Sequence, residues 1–243
     1  MSTHLYSGFT GKVRWFAKRF GWSEIFLLPL RKLASPIVRF FLHQREFEYR
    51  GEKLQCVYEN YNVTWSNERC TEIPIARWHL TQTDGPVLEV GNVLGHYGPH
   101  SHTVIDKYET APNVINADIT DWQTDQRFAL IISISTFEHI GFDDEAEGNS
   151  SEKIQAAIAA CRALLAPDGR LVITVPLGYN PALDELIAND TLGANQAHFL
   201  FRQGRRQWRE APRDQAIGTK YGHPFPYANG LWIAAFNAPY APN

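Results

Sequence analysis

The side chains best suited to acid–base chemistry lie together in one short segment. Glu138 and His139 are adjacent, and Asp143 and Asp144 follow a few residues later. Because imidazole titrates near neutral pH, His139 could remove the proton from a hydroxyl that attacks an electrophilic carbon. The same carboxylates and imidazole could instead hold magnesium and lower the pKa of the hydroxyl. In a third interpretation, Glu138 caps a helix and His139 packs in the core, so that neither takes part in chemistry.

A glycine turn followed by two carboxylates is a second candidate site. The turn is EVGNVLG, from Glu89 to Gly95, and Asp106 and Asp118 come after it at the ends of apolar runs. A strand that enters a glycine turn opening a helix lets a ligand approach the backbone beyond the carboxyl end of the sheet. Asp106 is then placed to accept both hydroxyls of a ribose, and Asp118 to meet the edge of a base. In the alternative interpretation, the glycines only turn the chain and the carboxylates only cap helices.

Two nucleoside-type ligands compete for such a turn. A dinucleotide needs its pyrophosphate neutralised, usually on a GxGxxG turn, whereas here three residues separate Gly91 from Gly95. Glu89 beside the turn suits a ligand that carries positive charge, such as a sulfonium with an ammonium group. The turn therefore favours S-adenosylmethionine over a nicotinamide dinucleotide.

The elements that must position these residues alternate between strands and helices from Pro86 onward. The most continuous apolar run, 128–134, is typical of a central strand buried on both faces. A helix is expected at about 152–165, capped by Ser150 or Ser151 and stopped by PDG at 167–169, and a shorter one at 182–188. The other predicted strands are 86–90, 103–106, 114–118, 171–175 and a final antiparallel pair at 198–203 and 231–236. This pattern predicts a three-layer α/β, Rossmann-like domain at 83–243, mostly parallel with a final antiparallel strand.

Composition is that of an ordinary folded protein. Of the 243 residues, 44% are apolar and 20% are charged, and no apolar run is long enough for a spanning helix. Cys56, Cys70 and Cys161 are scattered without a CxxC pair, which argues against a disulfide framework or a zinc knuckle and fits a reducing compartment. The first residues show no signal-peptide pattern. We therefore expect a cytoplasmic location.

Charge divides the chain into an arm and a body. Residues 1–45 hold eight cations and one anion together with several Phe and Trp residues, whereas the remaining residues are net acidic. We expect 1–50 to form a basic helical arm and 51–82 an aromatic lid before the domain at 83–243. Residues 1–45 suit peripheral contact with an anionic membrane, such as the inner face of the cell membrane. Packing of the arm on the body or on another subunit is an equal alternative, and the oligomeric state is not predicted.

Residues 86–178 resemble the class I S-adenosylmethionine-dependent methyltransferases. The resemblance rests on EVGNVLG, on Asp106 in VIDKYE and Asp118 in NADI, on SISTFEHIG at 133–141, and on LLAPDGRLVITVPLGYN at 164–180. More narrowly, YNVTWSNERCTEIPI at 61–75 followed by LEVGNVLGHY at 88–97 is similar to a poorly characterised bacterial group linked to glycan and surface-polysaccharide gene clusters. The first 50 residues carry no such resemblance.

The resemblance implies cofactor-binding roles by position. Ser135, at the end of the fourth strand of the domain, is expected to face the methyl group. The other implied contacts are Glu89, Gly91, Asn92 and Gly95 along the methionine moiety, Asp106 at the ribose with Lys107 beside it, and Asp118 with Ile119 at the adenine.

The end of the fourth strand bears on the acceptor. Methyltransferases that act on DNA adenine or glutamine amides carry Asn/Asp-Pro-Pro-Tyr there, whereas this chain has STFE at 135–138. A hydroxyl of a sugar, a glycan or another small molecule is therefore the expected acceptor. His139 and Glu138 are the expected catalytic pair.

Aromatic residues before and after the sheet are candidates for holding the acceptor. Tyr61 and Trp65 lie in the lid, and Tyr179 and Asn180 follow the fifth strand. Because aromatic faces stack on sugar rings, we expect these residues to contact the acceptor. In the alternative interpretation, the lid packs on the body without touching the acceptor.

Two further clusters are given no functional role. His96, His100 and His102 follow a loop with Gly98 and Pro99 rather than a helix face, so no metal site is predicted. Arginines between 202 and 213 are read as a solvated polar connection, and nucleic acid is not a favoured partner. The rival functions are a non-catalytic binding or assembly subunit and an NAD(P)-dependent oxidoreductase, although no Tyr-xxx-Lys pair follows the fourth strand.

Overall fold

The computed structural model describes residues 22–42, 45–143 and 149–239, which build an eight-stranded sheet and a separate hairpin. Residues 1–21 of the predicted arm and Asp144 lie outside this range. The N-terminal elements are helix α1 (Trp22–Leu42), strands β1 (Glu46–Tyr49) and β2 (Glu52–Gln55), a 3-10 helix (Tyr61–Ser66) and helix α2 (Arg69–Thr81).

The large sheet has the strand order β5-β4-β3-β6-β7-β10-β8-β9. The strands are β3 (Val87–Val90), β4 (Thr103–Asp106), β5 (Val114–Asn116), β6 (Phe128–Ile134), β7 (Leu165–Pro176), β8 (Gln196–Gly204), β9 (Gln207–Glu210) and β10 (Gly230–Asn237). Strands β3 to β7 pair in parallel, and β10 inserts antiparallel between β7 and β8. The predicted three-layer α/β sheet with a final antiparallel strand is confirmed, and β9 adds an antiparallel edge that was not predicted.

The two faces of the sheet carry separate apolar cores because successive side chains of a strand point to opposite faces. In β6, Ile131 belongs to one core, whereas Leu130, Ile132 and Ile134 belong to the other. Phe128 joins the core of Ile131 because the register shifts between Phe128 and Leu130. Helices α3 (Ser150–Ala163) and α4 (Pro181–Ala188) cover the first core, and α2 covers the second. The apolar run that predicted a doubly buried strand is thus explained.

The helix boundaries differ from the predicted ones because asparagine caps them. The Asn149 side chain accepts the Ser151 N–H and caps α3, so neither Ser150 nor Ser151 is the cap. Helix α3 ends at Ala163, before the PDG segment, which lies within the long strand β7. Asn180 caps α4 through the N–H groups of its first turn, directly before Pro181.

The expectation that the glycine turn opens a helix is wrong. Only a 3-10 helix of three residues (Leu94–His96) follows the turn, and the chain reaches β4 through an irregular loop. Gly98 has a φ of 143°, which residues other than glycine rarely adopt, and Pro99 follows it. These two residues interrupt a helix, because proline removes a donor and disfavours the helical region for its predecessor.

The segment before the domain packs on the second core. Strands β1 and β2 form an antiparallel hairpin that joins residues on both sides of the predicted boundary at residue 50. Phe47 and Tyr49 of this hairpin are buried in the same core as Trp65 and Ile73. In the described part of the chain, no helix has the length and hydropathy needed to cross a membrane.

Candidate active site

The glycine turn lies tightly against the end of the neighbouring strand. Gly91 has a φ of 87°, and a Cβ atom there would lie 2.1 Å from the Oγ1 atom of Thr136. A Cβ atom on Gly95 would lie 2.4 Å from Oδ1 of Asn92. Glycine is therefore required at Gly91 by its backbone conformation and by the close approach of Thr136, and the turn meets the segment that carries Glu138.

The backbone N–H groups of the turn are engaged within the protein. Oε1 of the buried Glu89 accepts the N–H groups of Val93 and Leu94 at 2.8 and 2.7 Å. The Gly91 N–H donates to the carbonyl of Ile105, and the Asn92 N–H to Oδ2 of Asp106. These four amides are the ones that would cradle a phosphate, so the turn does not form an anion-binding nest.

Both carboxylate oxygens of Glu89 stabilise the turn through hydrogen bonds inside the loop. Its second oxygen, Oε2, lies 2.7 Å from Nε2 of His102, and the carboxylate is fully buried. The side chain predicted to line the methionine moiety is thus hydrogen-bonded at both oxygens inside the loop. Its role as a direct ligand stays a prediction.

Oxygen atoms that accept hydrogen bonds lie close together where β3 and β4 end. Oδ1 of Asp106 accepts the N–H groups of Tyr108 and Glu109 at 2.8 and 2.7 Å, which leaves Oδ2 with the single bond from Asn92. The Asn92 amide nitrogen donates to Glu109, while its Oδ1 atom is buried without a partner. This edge offers oxygen acceptors to a ligand rich in donors.

The predicted adenine position lies one strand further. Oδ1 of Asp118 accepts the N–H and hydroxyl of Thr120, and Oδ2 pairs with Nζ of Lys107 at 3.1 Å. Burial raises the pKa of Asp118, but these hydrogen bonds and the lysine charge hold it below its usual range. Ile119 is buried next to it and supplies an apolar surface.

A buried carboxylate that the sequence analysis did not single out lies at the centre of the site. Glu72 of α2 is fully buried and accepts the hydroxyls of Ser135, at 2.7 and 2.9 Å, and Thr174, at 2.8 Å. Nη1 of Arg69 lies 3.0 Å from its Oε2 atom. The Ser135 hydroxyl, predicted to face the methyl group, is therefore directed at the lid helix. A charged residue between buried apolar positions of α2 was the signal that could have revealed Glu72.

Glu138 has a carboxylate oxygen with no protein partner. The side chain is 2% exposed, and its Oε2 atom accepts no hydrogen bond in the described structure. Burial raises the pKa of Glu138 to about 7. Its Oε1 atom lies 3.7 Å from Nε2 of His139, so the predicted catalytic pair is adjacent in space as well as in sequence.

His139 is held by a carboxylate and a tyrosine. Its Nδ1 atom is hydrogen-bonded to Oδ2 of Asp143, and the Tyr179 hydroxyl donates to the same oxygen at 2.8 Å. Burial lowers the pKa of His139, but the charge of Glu138 and the hydrogen bond to Asp143 outweigh it and leave the pKa above its usual value. The side chain is 40% exposed, so the ring is accessible while its orientation is fixed.

The four predicted acceptor contacts divide into two groups. Tyr179 lies against His139, and Asn180 donates from Nδ2 to the carbonyl of Glu138 while it caps α4. Tyr61 is half-exposed and stacks on His96 of the glycine-turn loop at 4.4 Å between ring centroids. Trp65 is buried in the lid.

Backbone strain marks the lid beside Tyr61. Asn62 and the buried, β-branched Val63 both have a φ near 50°, a conformation that persists only where the surroundings impose it. The Asn67 side chain donates to the Asn62 carbonyl and helps to hold this turn.

The prediction of a solvated connection between 202 and 213 is wrong for Arg202, whereas Arg205 and Arg213 are exposed. Arg202 is 4% exposed and donates to backbone carbonyls of Ser66, Arg205, Pro226 and Ala228. The apolar residues interleaved with these arginines form β8 and β9 and carry the segment into the sheet.

In the described ranges, no group of three or more potential ligands is arranged for a metal, which includes the histidines at 96, 100 and 102.

Several solved structures are similar to this chain. The N-methyltransferase NodS from Bradyrhizobium japonicum WM9, in complex with S-adenosyl-L-homocysteine, is 19% identical over 71% of this chain and 88% of its own, with a TM-score of 0.44. A TehB-like SAM-dependent methyltransferase from Corynebacterium glutamicum is 15% identical over 68% and 86%, with a TM-score of 0.38. The magnesium protoporphyrin IX methyltransferase from Synechocystis PCC 6803 is 13% identical over 68% and 77%, with a TM-score of 0.34. No family model and no curated protein matches the chain.

The order of the strands, with β10 inserted antiparallel between β7 and β8, decides the fold. The chain has a Rossmann-like α/β fold. In this fold the glycine turn, Asp106 and the segment 135–139 follow the carboxyl ends of β3, β4 and β6. Parallel sheets bind their ligands at this edge.

Proposed function

We propose that this chain transfers a methyl group from S-adenosylmethionine to a hydroxyl of a sugar, a glycan or a related small molecule. The observation that carries the cofactor assignment is the internal hydrogen bonding of the glycine turn. Because the amides of Gly91 to Leu94 are already engaged, they are not available for a pyrophosphate. This disfavours a nicotinamide dinucleotide.

The edge of the sheet that is rich in hydrogen-bond acceptors fits S-adenosylmethionine. This cofactor offers an ammonium, ribose hydroxyls and an adenine amino group, all of them donors, and it carries positive charge on sulfur. Asp106 retains capacity at Oδ2, Asn92 has a buried Oδ1 without a partner, and Asp118 has a lowered pKa. When bound, the cofactor supplies an electrophilic methyl group.

The arrangement at His139 supports a hydroxyl acceptor. With Nδ1 bonded to Asp143, Nε2 is the nitrogen that can receive a proton. In this proposal His139 accepts the acceptor's hydroxyl proton as the oxygen attacks, and Asp143 stabilises the resulting imidazolium. Tyr179 fixes the carboxylate that orients the ring.

Glu138 adjusts the basicity of His139 in this proposal. Its buried carboxylate lies beside the imidazole and raises the pKa of His139. A proton received by His139 is therefore stabilised by two carboxylates rather than one. Glu138 can also accept a hydrogen bond from the acceptor at Oε2, which has no other partner.

Glu72 and Arg69 stabilise the packing of the elements that form the candidate active site. They connect the lid helix to the ends of β6 and β7 through Ser135 and Thr174. The chain segment that carries Glu138 and His139 begins directly after Ser135. The network is thus placed to fix the distance between the acceptor and the methyl group, on which much of the rate of a displacement depends.

The experiment that tests this function measures the formation of S-adenosylhomocysteine with panels of sugar, glycan and phenolic acceptors. Acceptor-dependent product in the wild-type protein, lost in His139→Asn while cofactor affinity is retained, is the expected result. Exposed Glu185 on α4 provides the matched control Glu185→Gln, which should turn over normally. Binding of the cofactor without any turnover would favour the non-catalytic subunit, and turnover with amine acceptors alone would overturn the hydroxyl assignment.

A further inference from the structure

Helix α1 has an apolar face that the rest of the described structure does not cover. Six of its large apolar side chains are between 40% and 78% exposed, with Leu33 and Phe41 at 78% and 76%. Of the exposed large apolar residues in the described ranges, only Tyr61, Tyr108 and Phe142 lie elsewhere. The exposed side chains on α1 are Leu27, Leu30, Leu33, Ile37, Phe40 and Phe41.

These six residues form one continuous stripe. Each residue of a helix advances by about 100°, so their spacing confines them to less than half of the helix circumference. The opposite side of α1 faces the body, where Ser35 is buried and Val38 packs on the second core. Arg39 is paired with Glu59 at 3.2 Å on this side. The helix is therefore anchored to the body by one face and presents the other outward.

The net charge of helix α1 is positive. Helix α1 carries Arg31, Lys32 and Arg39 against a single anion, Glu24, and Lys32 is exposed. Lys12, Arg14, Lys18 and Arg19 precede the helix in the sequence. An apolar stripe accompanied by cations is complementary to a surface that is apolar inside and anionic outside.

We propose that α1 binds in the interfacial layer of an anionic lipid bilayer, with its exposed stripe among the acyl chains and the exposed Lys32 at the headgroups. The helix does not meet the length and hydropathy of a spanning segment, which fits a position parallel to the surface. This inference is independent of the proposed methyl transfer, because it uses none of the residues of the candidate active site.

A second copy of the chain is the less suitable occupant. Outside α1, the exposed large apolar residues of the described ranges are only Tyr61, Tyr108 and Phe142, so the body offers a second copy few apolar side chains to cover the stripe. Pairing of two α1 stripes would bury the apolar side chains but would leave the exposed Lys32 and the net positive charge of the helix without a partner of opposite charge. A bilayer with anionic headgroups satisfies both the apolar stripe and the charge.

The test is co-sedimentation of the full-length protein with vesicles of phosphatidylcholine alone and of phosphatidylcholine with about 30% phosphatidylglycerol. The test variant is the triple change Leu33→Ser, Ile37→Ser, Phe41→Ser, and the matched control is Tyr108→Ser, which alters an exposed aromatic residue of the body. The wild-type protein and the control should bind the anionic vesicles. The triple variant should bind at least about tenfold more weakly.

Salt and a charge variant test the electrostatic part. Raising the salt from about 0.15 M to about 1 M should weaken binding of the wild-type protein, and Lys32→Glu should do the same at low salt. Because all substituted side chains are exposed, unchanged thermal unfolding confirms that the variants are folded. Absence of wild-type binding to anionic vesicles, or equal binding by the triple variant, overturns the proposal. A concentration-dependent dimer that the triple variant loses, without vesicle binding, would assign the stripe to a second copy.

Discussion

The Ser135 hydroxyl donates to the carboxylate of Glu72, 2.7 Å from one oxygen and 2.9 Å from the other, and joins the lid helix α2 to the end of β6. Both residues are buried, and Thr174 and Arg69 complete the partners of the carboxylate. The contact ties a segment that precedes the domain to the strand end from which the candidate catalytic residues emerge. It makes α2 part of the site rather than a removable cover.

Glu72→Ala should destabilise the fold strongly. The change leaves Arg69 without its buried partner and removes acceptors from two hydroxyls, and breaking a buried ion pair typically costs about 3–5 kcal/mol. Urea unfolding measures the loss. Glu59→Ala, which breaks the exposed pair with Arg39, is the matched control and should cost less than about 1 kcal/mol. Equal losses in the two variants would show that the buried network does not hold the lid.

Glu89→Ala should weaken binding of S-adenosylhomocysteine, because the turn loses the acceptor of the Val93 and Leu94 amides. Glu89→Gln keeps an oxygen at that position, so its affinity should stay closer to that of the wild type. Isothermal titration of both variants gives the comparison. If Glu89→Gln loses as much affinity as Glu89→Ala, Glu89 contributes to cofactor affinity mainly through its negative charge and not through the shape of the turn.

The rate of turnover should rise with pH through a pKa above the usual value of histidine. A base must be unprotonated to act, and Glu138 and Asp143 stabilise the protonated form of His139. Asp143→Asn removes one of these carboxylates and should move the midpoint of the kcat/KM profile to lower pH. A wild-type profile that is flat across neutral pH, or a midpoint unmoved in Asp143→Asn, would remove His139 as the base.

Glu138→Gln should raise the free energy of unfolding at about pH 8 and have less effect at about pH 5. The folded-state pKa of Glu138 is raised to about 7, so the folded protein binds the proton more tightly than the unfolded chain. Between the usual glutamate pKa and about 7, the stability contributed by this group therefore falls as the pH rises. Denaturant unfolding at the two pH values measures the effect, with exposed Glu185→Gln as control. A pH-independent difference would show that Glu138 is not protonated in this range.

The alternation of short apolar runs predicted the central strands because such runs report burial on both faces directly. The glycine turn and the carboxylates at strand ends could also be found, because each directly follows its strand in the sequence. The partners of Glu72 could not be found, because Ser135 and Thr174 are distant in the sequence and meet it only through packing of α2, although its charge among apolar positions of that helix was visible. Sequence reasoning also treated Arg202 as solvated, although backbone carbonyls from three separate segments enclose it. The helix expected after the glycine turn was excluded by Gly98 and Pro99, which local rules could have recognised.

The central claim is that the acceptor-rich edge of the sheet binds S-adenosylmethionine, and calorimetric titration with S-adenosylhomocysteine tests it most directly. The proteins to compare are the wild type, Asp106→Ala, and Asp168→Ala as a control at an exposed position near the start of β7. The account predicts saturable binding by the wild type and the control, at least about tenfold weaker binding by Asp106→Ala, and no binding of NADH. Two results would contradict the account. One is that the wild-type protein binds NADH but not S-adenosylhomocysteine, and the other is that Asp106→Ala binds S-adenosylhomocysteine as tightly as the wild type does.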